Sequence, residues 1–388
     1  MNKKIAVVTG TRAEYGYLKP LIEKILGRKG LTLLLYVTGM HIVKEYGNTV
    51  NEIVKDGFEI RKIIDMDVKE NNTVFDTAIS ISNGVKGFTK AFQEDSPDMV
   101  VVFGDRTEPF SAAVAATTVN IPVAHINGGD VGFGDLDNNL RHAITKLSHL
   151  HFTASHQSMC RVLKLGEEKW RVFNAGALSL DSILNKKLSS RKDILDKYSI
   201  PDRKIILVVF HPVTTEYQDS SNQMNIVMQS VKEIAEKHNS EIVTIYPNAY
   251  PGGYEIIKVI KNFSKKSNKI HVFENISHLD YLSMLSISSV FLGNSSSGII
   301  EAPSLGIPYV CIANRQYGRE RGYNVIDVEC KKSYINKAVE KAMFNKKFIK
   351  IVEKRKSPYG NGKASEFIVD ILSRINIDKR LLQKKITY

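Results

Sequence analysis

The sequence has few cysteines: Cys160, Cys311 and Cys330, widely separated among 388 residues. It contains no CxxC pair and no Cys/His cluster, which argues against a zinc site. An odd, sparse cysteine count suits a reducing cytoplasm. No apolar run approaches the roughly 18 residues of a membrane-spanning helix. The apolar stretch Ile5–Val8 breaks at once into Thr9-Gly10-Thr11-Arg12, too short for the core of a secretion signal. GxGxxG is missing after this first apolar run, which disfavours a nicotinamide or flavin cofactor, and no GK[ST] ending marks a P-loop. Nucleic-acid motifs of the RNP, KH, helix-turn-helix or zinc type are also absent.

Hydrophobic residues make up 43% of the chain and charged residues 24%, an ordinary globular balance that excludes disordered and collagen-like classes. The formal charge is +13. Lys331–Tyr388 holds 16 basic and 5 acidic residues, a net +11, so the first 330 residues carry only +2. The basic end reads as a solvated, lysine-rich face on terminal helices. An anionic ligand would then be met by a few placed groups in a nearly neutral body.

Short apolar runs alternate with helical patterns. Strands are expected at Ile5–Val8, Leu31–Val37, Met99–Phe103, Val123–Ile126, His151–Thr153 and Val172–Asn174. After the polar segment Gly176–Pro201 the pattern restarts, with strands at Ile205–Phe210, Glu241–Tyr246, Ile270–Phe273, Val290–Leu292 and Tyr309–Ile312. Helices are expected between them, among them Tyr17–Lys29, Val43–Val54, Thr73–Phe92, Pro109–Val119, Leu136–Leu147 and Asn222–His238. Continuous apolar strands joined by helices imply parallel sheets covered on both faces. The fold class is therefore α/β, with two doubly wound Rossmann-like domains of similar size divided at Gly176–Pro201. In such sheets ligands bind beyond the carboxyl ends of the strands.

Polar and ionisable residues crowd those ends. Arg12 follows the first strand, and arginine suits phosphate. Asp105 and Arg106 follow Met99–Phe103, where they are either an internal ion pair or an acid/base with a substrate contact. Asp130 sits on a Gly-Gly turn, and Asp137 falls in the first turn of the helix starting near Leu136. Several carboxylates near one cleft can push their pKa values apart, as acid/base pairs need. Asp135 suits a helix cap, and His125 suits a packed core. His211-Pro212 ends a buried strand and leaves an imidazole at its tip. Gly293–Gly298, with Ser295 and Ser296, runs into a helix; it is either a serine cap or an anion site. Glu301 follows one turn later, complementing the helix dipole or accepting ribose hydroxyls.

Taken together, TGTRAEYG (Thr9–Gly16), YGNT (Tyr46–Thr49), GDR (Gly104–Arg106), HINGGD (His125–Asp130), RHAITK (Arg141–Lys146), HPVTT (His211–Thr215), GNSSSG (Gly293–Gly298) and RQYGRERG (Arg315–Gly322) resemble the hydrolysing UDP-N-acetylglucosamine 2-epimerases. That resemblance spans almost the whole chain in one order. Ala13, where the non-hydrolysing branch typically has Pro, is similar to the hydrolysing branch.

The resemblance implies a GT-B-like pair of domains, 1–175 and 176–362, with a cleft between them, and a terminal helix and tail over 363–388 that cross back to the first domain. It implies elimination of UDP to a 2-acetamidoglucal, then hydration to a free C2-inverted sugar such as N-acetylmannosamine, in the synthesis of a sialic-acid-like nonulosonate. The alternatives on the same architecture are a UDP-sugar glycosyltransferase and a non-hydrolysing 2-epimerase. Asp105, Asp130, Asp137 and His211 are the implied catalytic set. Arg12, Arg106, Asn248, Ile276, Ser295, Ser296, Glu301 and Arg315 are the implied substrate contacts. Many members carry glutamate where this chain has Asn127, which cannot transfer a proton; Asp130 would supply that function, or Asp105, Asp137 and His211 alone would run the chemistry. No cofactor and no metal are expected, since arginine and helix-end donors serve the diphosphate. Partners reduce to the UDP-sugar and further copies of the chain, as a homodimer or homotetramer, with no nucleic acid or membrane.

Overall fold

In a computed structural model, the protein is described at every residue except 1, 45–46, 70–72, 133–135, 186, 214 and 248–250, and the side chains of 74 and 185. The first sheet has seven parallel strands: β1 (Lys3–Thr9), β2 (Leu31–Thr38), β3 (Ile60–Ile64), β4 (Met99–Phe103), β5 (Val123–Ile126), β6 (Leu150–Thr153) and β7 (Val172–Asn174). Their order is β3-β2-β1-β4-β5-β6-β7. Ile5 and Val7 of β1 face the helices Arg12–Leu26 and Ala364–Arg374. Ala6 and Val8 face the helices Val74–Asp95 and Thr107–Thr118. A strand buried on both sides has no polar positions to alternate, which is why β1 and β4 read as unbroken apolar runs.

The second sheet has six parallel strands: β8 (Ile205–Val209), β9 (Glu241–Ile245), β10 (Ile270–Phe273), β11 (Val290–Gly293), β12 (Tyr309–Ile312) and β13 (Val325–Val328), in the order β10-β9-β8-β11-β12-β13. Its core joins Ile206 and Val208 of β8 to Met224, Val227 and Val231 of the helix Ser220–His238. In both sheets the winding direction reverses beside the first strand, between β1 and β4 and between β8 and β11. These switch points open the crevices where doubly wound sheets take ligands.

Two strands escaped the sequence reading, and both lie on sheet edges. β3 (IRKII) and β13 (VIDV) are half-solvated, so charged residues interrupt the apolar pattern. The first helix begins at Arg12 rather than near Tyr17. Thr11 caps it, its hydroxyl accepting the Glu14 N–H at 3.3 Å. Of the stretch read as one helix over Val43–Val54, the end forms a short helix at Val50–Lys55, and a 3-10 turn at Gly39–Ile42 precedes the stretch.

The chain divides into two compact units. Residues 176–182 and 359–362, assigned to the second domain on sequence, cluster with the first unit. The physical reason is a local brace: Ala177 N–H donates to the Tyr359 carbonyl at 2.8 Å, and the Asp181 carboxylate accepts the N–H groups of Ala364 and Ser365 at 3.0 and 2.6 Å. Beyond it, Ile368, Val369 and Leu372 pack into the first unit's core with Leu18, Ile22 and Ile25.

The basic end is less solvated than expected. Arg171 is fully buried and donates to the carbonyls of Leu381 and Arg380, both at 2.6 Å, tying down the tail. Lys384 reaches the Glu167 carboxylate at 2.8 Å, which also takes Lys146 at 2.7 Å and His151 at 3.0 Å. Burial pushes the Glu167 carboxyl up, but these hydrogen bonds together hold it at about 2.

Candidate functional site

At the carboxyl end of the first sheet, Asp105 and Arg106 follow β4, the neighbour of β1 at the switch point. Gly104 before them has φ +77, and its carbonyl accepts the His125 Nε2–H at 2.7 Å. His125 is fully buried, and burial pushes its pKa down to about 3, so a neutral ring braces the loop, as the packed-core reading expects. The Thr145 hydroxyl meets the other ring nitrogen at 3.2 Å, joining the loop to the helix Leu136–Leu147.

The Asp105 carboxylate forms an ion pair with Arg141 of that helix. Arg141 is 3% exposed and donates to the Asp130 carbonyl at 3.0 Å. This pairing places a buried cation against a carboxylate at the strand tip. An opposite charge at such range favours the ionised acid. Asp137 lies half-buried in the first turn of the same helix, and Asp130 is buried. His142 stands one residue after Arg141. Burial, with Arg141 and Arg161, pushes its pKa down, and its Nδ1 is buried without a hydrogen-bond partner. Asn127 takes a left-handed conformation at the tip of β5 (φ +67), with its Oδ1 buried and unpartnered.

The two arginines of this unit expected to contact substrate, Arg12 and Arg106, are held by acids. Arg12 Nε contacts Glu52 at 2.8 Å in a partly exposed pair, which fixes its direction more than it adds stability. Arg106 Nε lies 3.3 Å from Glu108, which is 1% exposed. His41 is fully buried between the hydroxyls of Thr9 and Thr49, at 3.0 and 2.8 Å. Burial pushes its pKa down to about 4.

At the second sheet's switch point, β8 ends at His211 and β11 at the Gly293–Gly298 loop. Asn294, fully buried, clamps the two ends together. Its Oδ1 accepts the His211 N–H at 2.7 Å and its Nδ2 donates to the His211 carbonyl at 2.8 Å. Its own carbonyl accepts Arg315 at 3.2 Å and Gln316 at 2.8 Å. His211, Asn294 and Arg315 therefore form one connected group. Gly293 allows this crossing: at φ +139, any Cβ there would sit 2.0 Å from the Val209 carbonyl oxygen.

The helix expected after the loop is only four residues, Ser297–Ile300, and Ser296 makes no side-chain capping bond. The hydroxyl is thus not committed to a cap. Ser295 is mostly buried, and its Oγ accepts the Ser297 N–H at 3.4 Å. Glu301 is 2% exposed, at the joint with a second short helix, Ala302–Leu305, rather than a turn into one long helix. It lies near Tyr281, whose phenol burial pushes upward in pKa and whose hydroxyl is buried without a hydrogen-bond partner. Ile276 is buried just before Ser277, the cap of the helix His278–Ile287. Asn248, Asp135, Thr214 and Tyr46 lie outside the described residues. Among the described residues no group of three or more His, Cys, Asp or Glu side chains could hold a metal ion, and no helix is long and apolar enough to cross a membrane.

Sequence reasoning passed over Asn294, Arg141 as the partner of Asp105, and the acids Glu14 and Glu108. Each acts through a residue distant in sequence, so no local spacing signals it; in Asn294 the one available cue was its place in a strand-end loop. Asn294→Ala leaves both His211 backbone groups without their partner and should cost about 2 kcal/mol. A thermal midpoint equal to wild type would show that the clamp contributes nothing.

Residues 23–373 match the family described as UDP-N-acetylglucosamine 2-epimerase. The chain is 38% identical over 385 residues, 99% of each chain, to the hydrolysing UDP-N,N'-diacetylbacillosamine 2-epimerase of Legionella pneumophila. It is 37% identical to polysialic acid biosynthesis protein P7 of Escherichia coli, over 92% of this chain and 90% of that one. A crystal structure of UDP-GlcNAc 2-epimerase from Neisseria meningitidis bound to UDP-GlcNAc shares the fold with a TM-score of 0.82 at 23% identity, covering 95% of this chain and 99% of that one. On the extent of the family match and the near-complete coverage of these relatives, the chain belongs to the UDP-N-acetylglucosamine 2-epimerase family.

Proposed function

We propose that this protein is a hydrolysing 2-epimerase acting on UDP-N-acetylglucosamine or a UDP-linked 2,4-diacetamido relative, with UDP and the free C2-inverted sugar as products. The observation that carries the reading is the 38% identity, over 99% of both chains, to a hydrolysing 2-epimerase of the diacetamido type. The similarity to a polysialic acid biosynthesis protein supports a place in nonulosonate synthesis.

Two chemical events are needed, and the switch points offer groups for each. A base takes the C2 proton while the C1–O bond breaks; the electron pair of the C2–H bond becomes the C1=C2 double bond, and UDP leaves with the C1–O pair. Asp105, ion-paired with Arg141, is our choice for that base. Water then adds its hydroxyl to C1 and a proton enters C2 from the opposite face; Asp137, Asp130 and His211 are the candidate acids. The leaving diphosphate needs preorganised donors, for which Ser295, Ser296, Arg315 and His211 are the candidates, with Arg12 and Arg106 proposed as further substrate contacts. Glu301 and Ile276 serve the nucleoside, together with Asn248. The protein works without metal or cofactor, in the cytoplasm, as a homodimer or homotetramer.

Incubation with UDP-N-acetylglucosamine and a UDP-2,4-diacetamido sugar in D2O tests the reading. The expected result is UDP release without any acceptor and a free sugar carrying deuterium at C2. Retention of the original C2 hydrogen would sink the elimination mechanism. A strict need for an acceptor would point to a glycosyltransferase, and an intact UDP-linked epimer to the non-hydrolysing reaction.

A further inference from the structure

Beneath the β1 and β4 tips lies a pair of acids that this reaction scheme does not use. Glu14, on the helix Arg12–Leu26, is 5% exposed, and Glu108, on the helix Thr107–Thr118, is 1% exposed. The backbone is arranged to admit them. A Cβ on Gly10 would lie 2.6 Å from Glu108 Cγ, and one on Gly39 would lie 2.6 Å from Glu108 Oε1. Two loops thus give up side chains where the Glu108 stem passes.

The two acids have unequal company. Glu108 Oε2 accepts the Thr107 hydroxyl at 3.1 Å and faces Arg106 Nε at 3.3 Å, while Arg106 Nη2 lies 3.5 Å from its Oε1. Glu14 Oε2 accepts one backbone N–H, from Gly10 at 3.2 Å, and its Oε1 is buried with no partner. Two neighbouring buried carboxyls do not both ionise readily, and the proton stays on the one with fewer donors. We propose that Glu14 is a neutral buried acid beside Glu108, and that Glu108 is the residue that orients the Arg106 guanidinium.

Glu108 is then a positioning residue for Arg106, and neutral Glu14 adds no charge beside it. The titratable groups facing the pair are Arg106, at the start of the Glu108 helix, and His41, on the turn Gly39–Ile42. His41 stays neutral and leaves the balance unchanged. Burial first, and Glu108 second, push the Glu14 carboxyl up to about 8 from an ordinary 4.5. A folded value above the unfolded one means that the proton's stabilisation is complete below about 4.5 and is lost as pH rises through about 8.

Two arms of the test need no substrate. Wild-type protein should show the infrared carbonyl stretch of a protonated carboxyl at neutral pH, and Glu14→Gln, which is isosteric with the neutral acid, should remove it. The wild-type thermal midpoint should fall relative to Glu14→Gln as pH rises toward 8, because only wild type has this proton to lose. A band that survives in Glu14→Gln, or parallel pH profiles, would overturn the neutral Glu14. The kinetic arm rests on Arg106 contacting the UDP-sugar as proposed above. Glu108→Gln should raise KM about tenfold with a smaller change in kcat, whereas Glu14→Gln should keep KM near wild type at neutral pH. An unchanged KM in folded Glu108→Gln would remove the positioning role while leaving the infrared and thermal arms to judge the pair.

Discussion

Asp105→Asn is expected to lower turnover by about a hundred- to ten-thousand-fold, the usual worth of a positioned general base. The substitution keeps shape and removes the charge and the basic lone pair. Asp105 stands at the tip of a strand buried on both faces, beside the switch point, with its loop braced by His125. Apart from the neighbouring Arg106, the groups assigned to the nucleotide lie on other loops, so UDP affinity should stay within about twofold by titration calorimetry. The variant also leaves Arg141 without its acid, so a thermal midpoint a few degrees lower is expected alongside the kinetic loss. Near-normal turnover in folded Asp105→Asn would remove Asp105 from the catalytic set.

Arg141→Met is expected to destabilise the protein by about 3 kcal/mol, the low end of the range for breaking a buried ion pair, because Asp105 keeps some contact with water. Two things are lost at once: the cation against Asp105 and the donor to the Asp130 carbonyl. Arg141→Lys keeps the charge but not the planar fork, so it should recover part of the stability and less of the activity. Chemical denaturation of the three proteins measures the first claim. A loss under about 1 kcal/mol in Arg141→Met would mean that water, not Arg141, carries the Asp105 charge.

The strands that were legible in the sequence are mostly those buried on both faces. Met99–Phe103 and Tyr309–Ile312 match residue for residue, because a covered parallel strand of apolar residues has no polar position to blur its ends, and the short edge strands Val172–Asn174 and Ile270–Phe273 match as well. Edge strands β3 and β13 were not legible, since one flank meets solvent and the pattern mixes. Candidate residues were legible as types in places: Asp105, Arg106, His211, Ser295 and Ser296 follow strands whose position the apolar runs had marked. Their partners were not. Arg141 lies 36 positions from Asp105, Asn294 lies 83 from His211, and Glu108 lies 94 from Glu14.

The order of buried strands, and hence which polar residues stand at their carboxyl ends, followed from the sequence by itself, because covering a parallel sheet on both faces demands continuous apolar runs with polar breaks. Only the tertiary structure decided which of those residues meet: that Asp105 rests on a buried arginine, that Asn294 clamps His211, and that two acids share one burial site. Ionisation and orientation depend on distances of a few ångströms between groups brought together by the winding of the sheets, and spacing along the chain carries no measure of those distances.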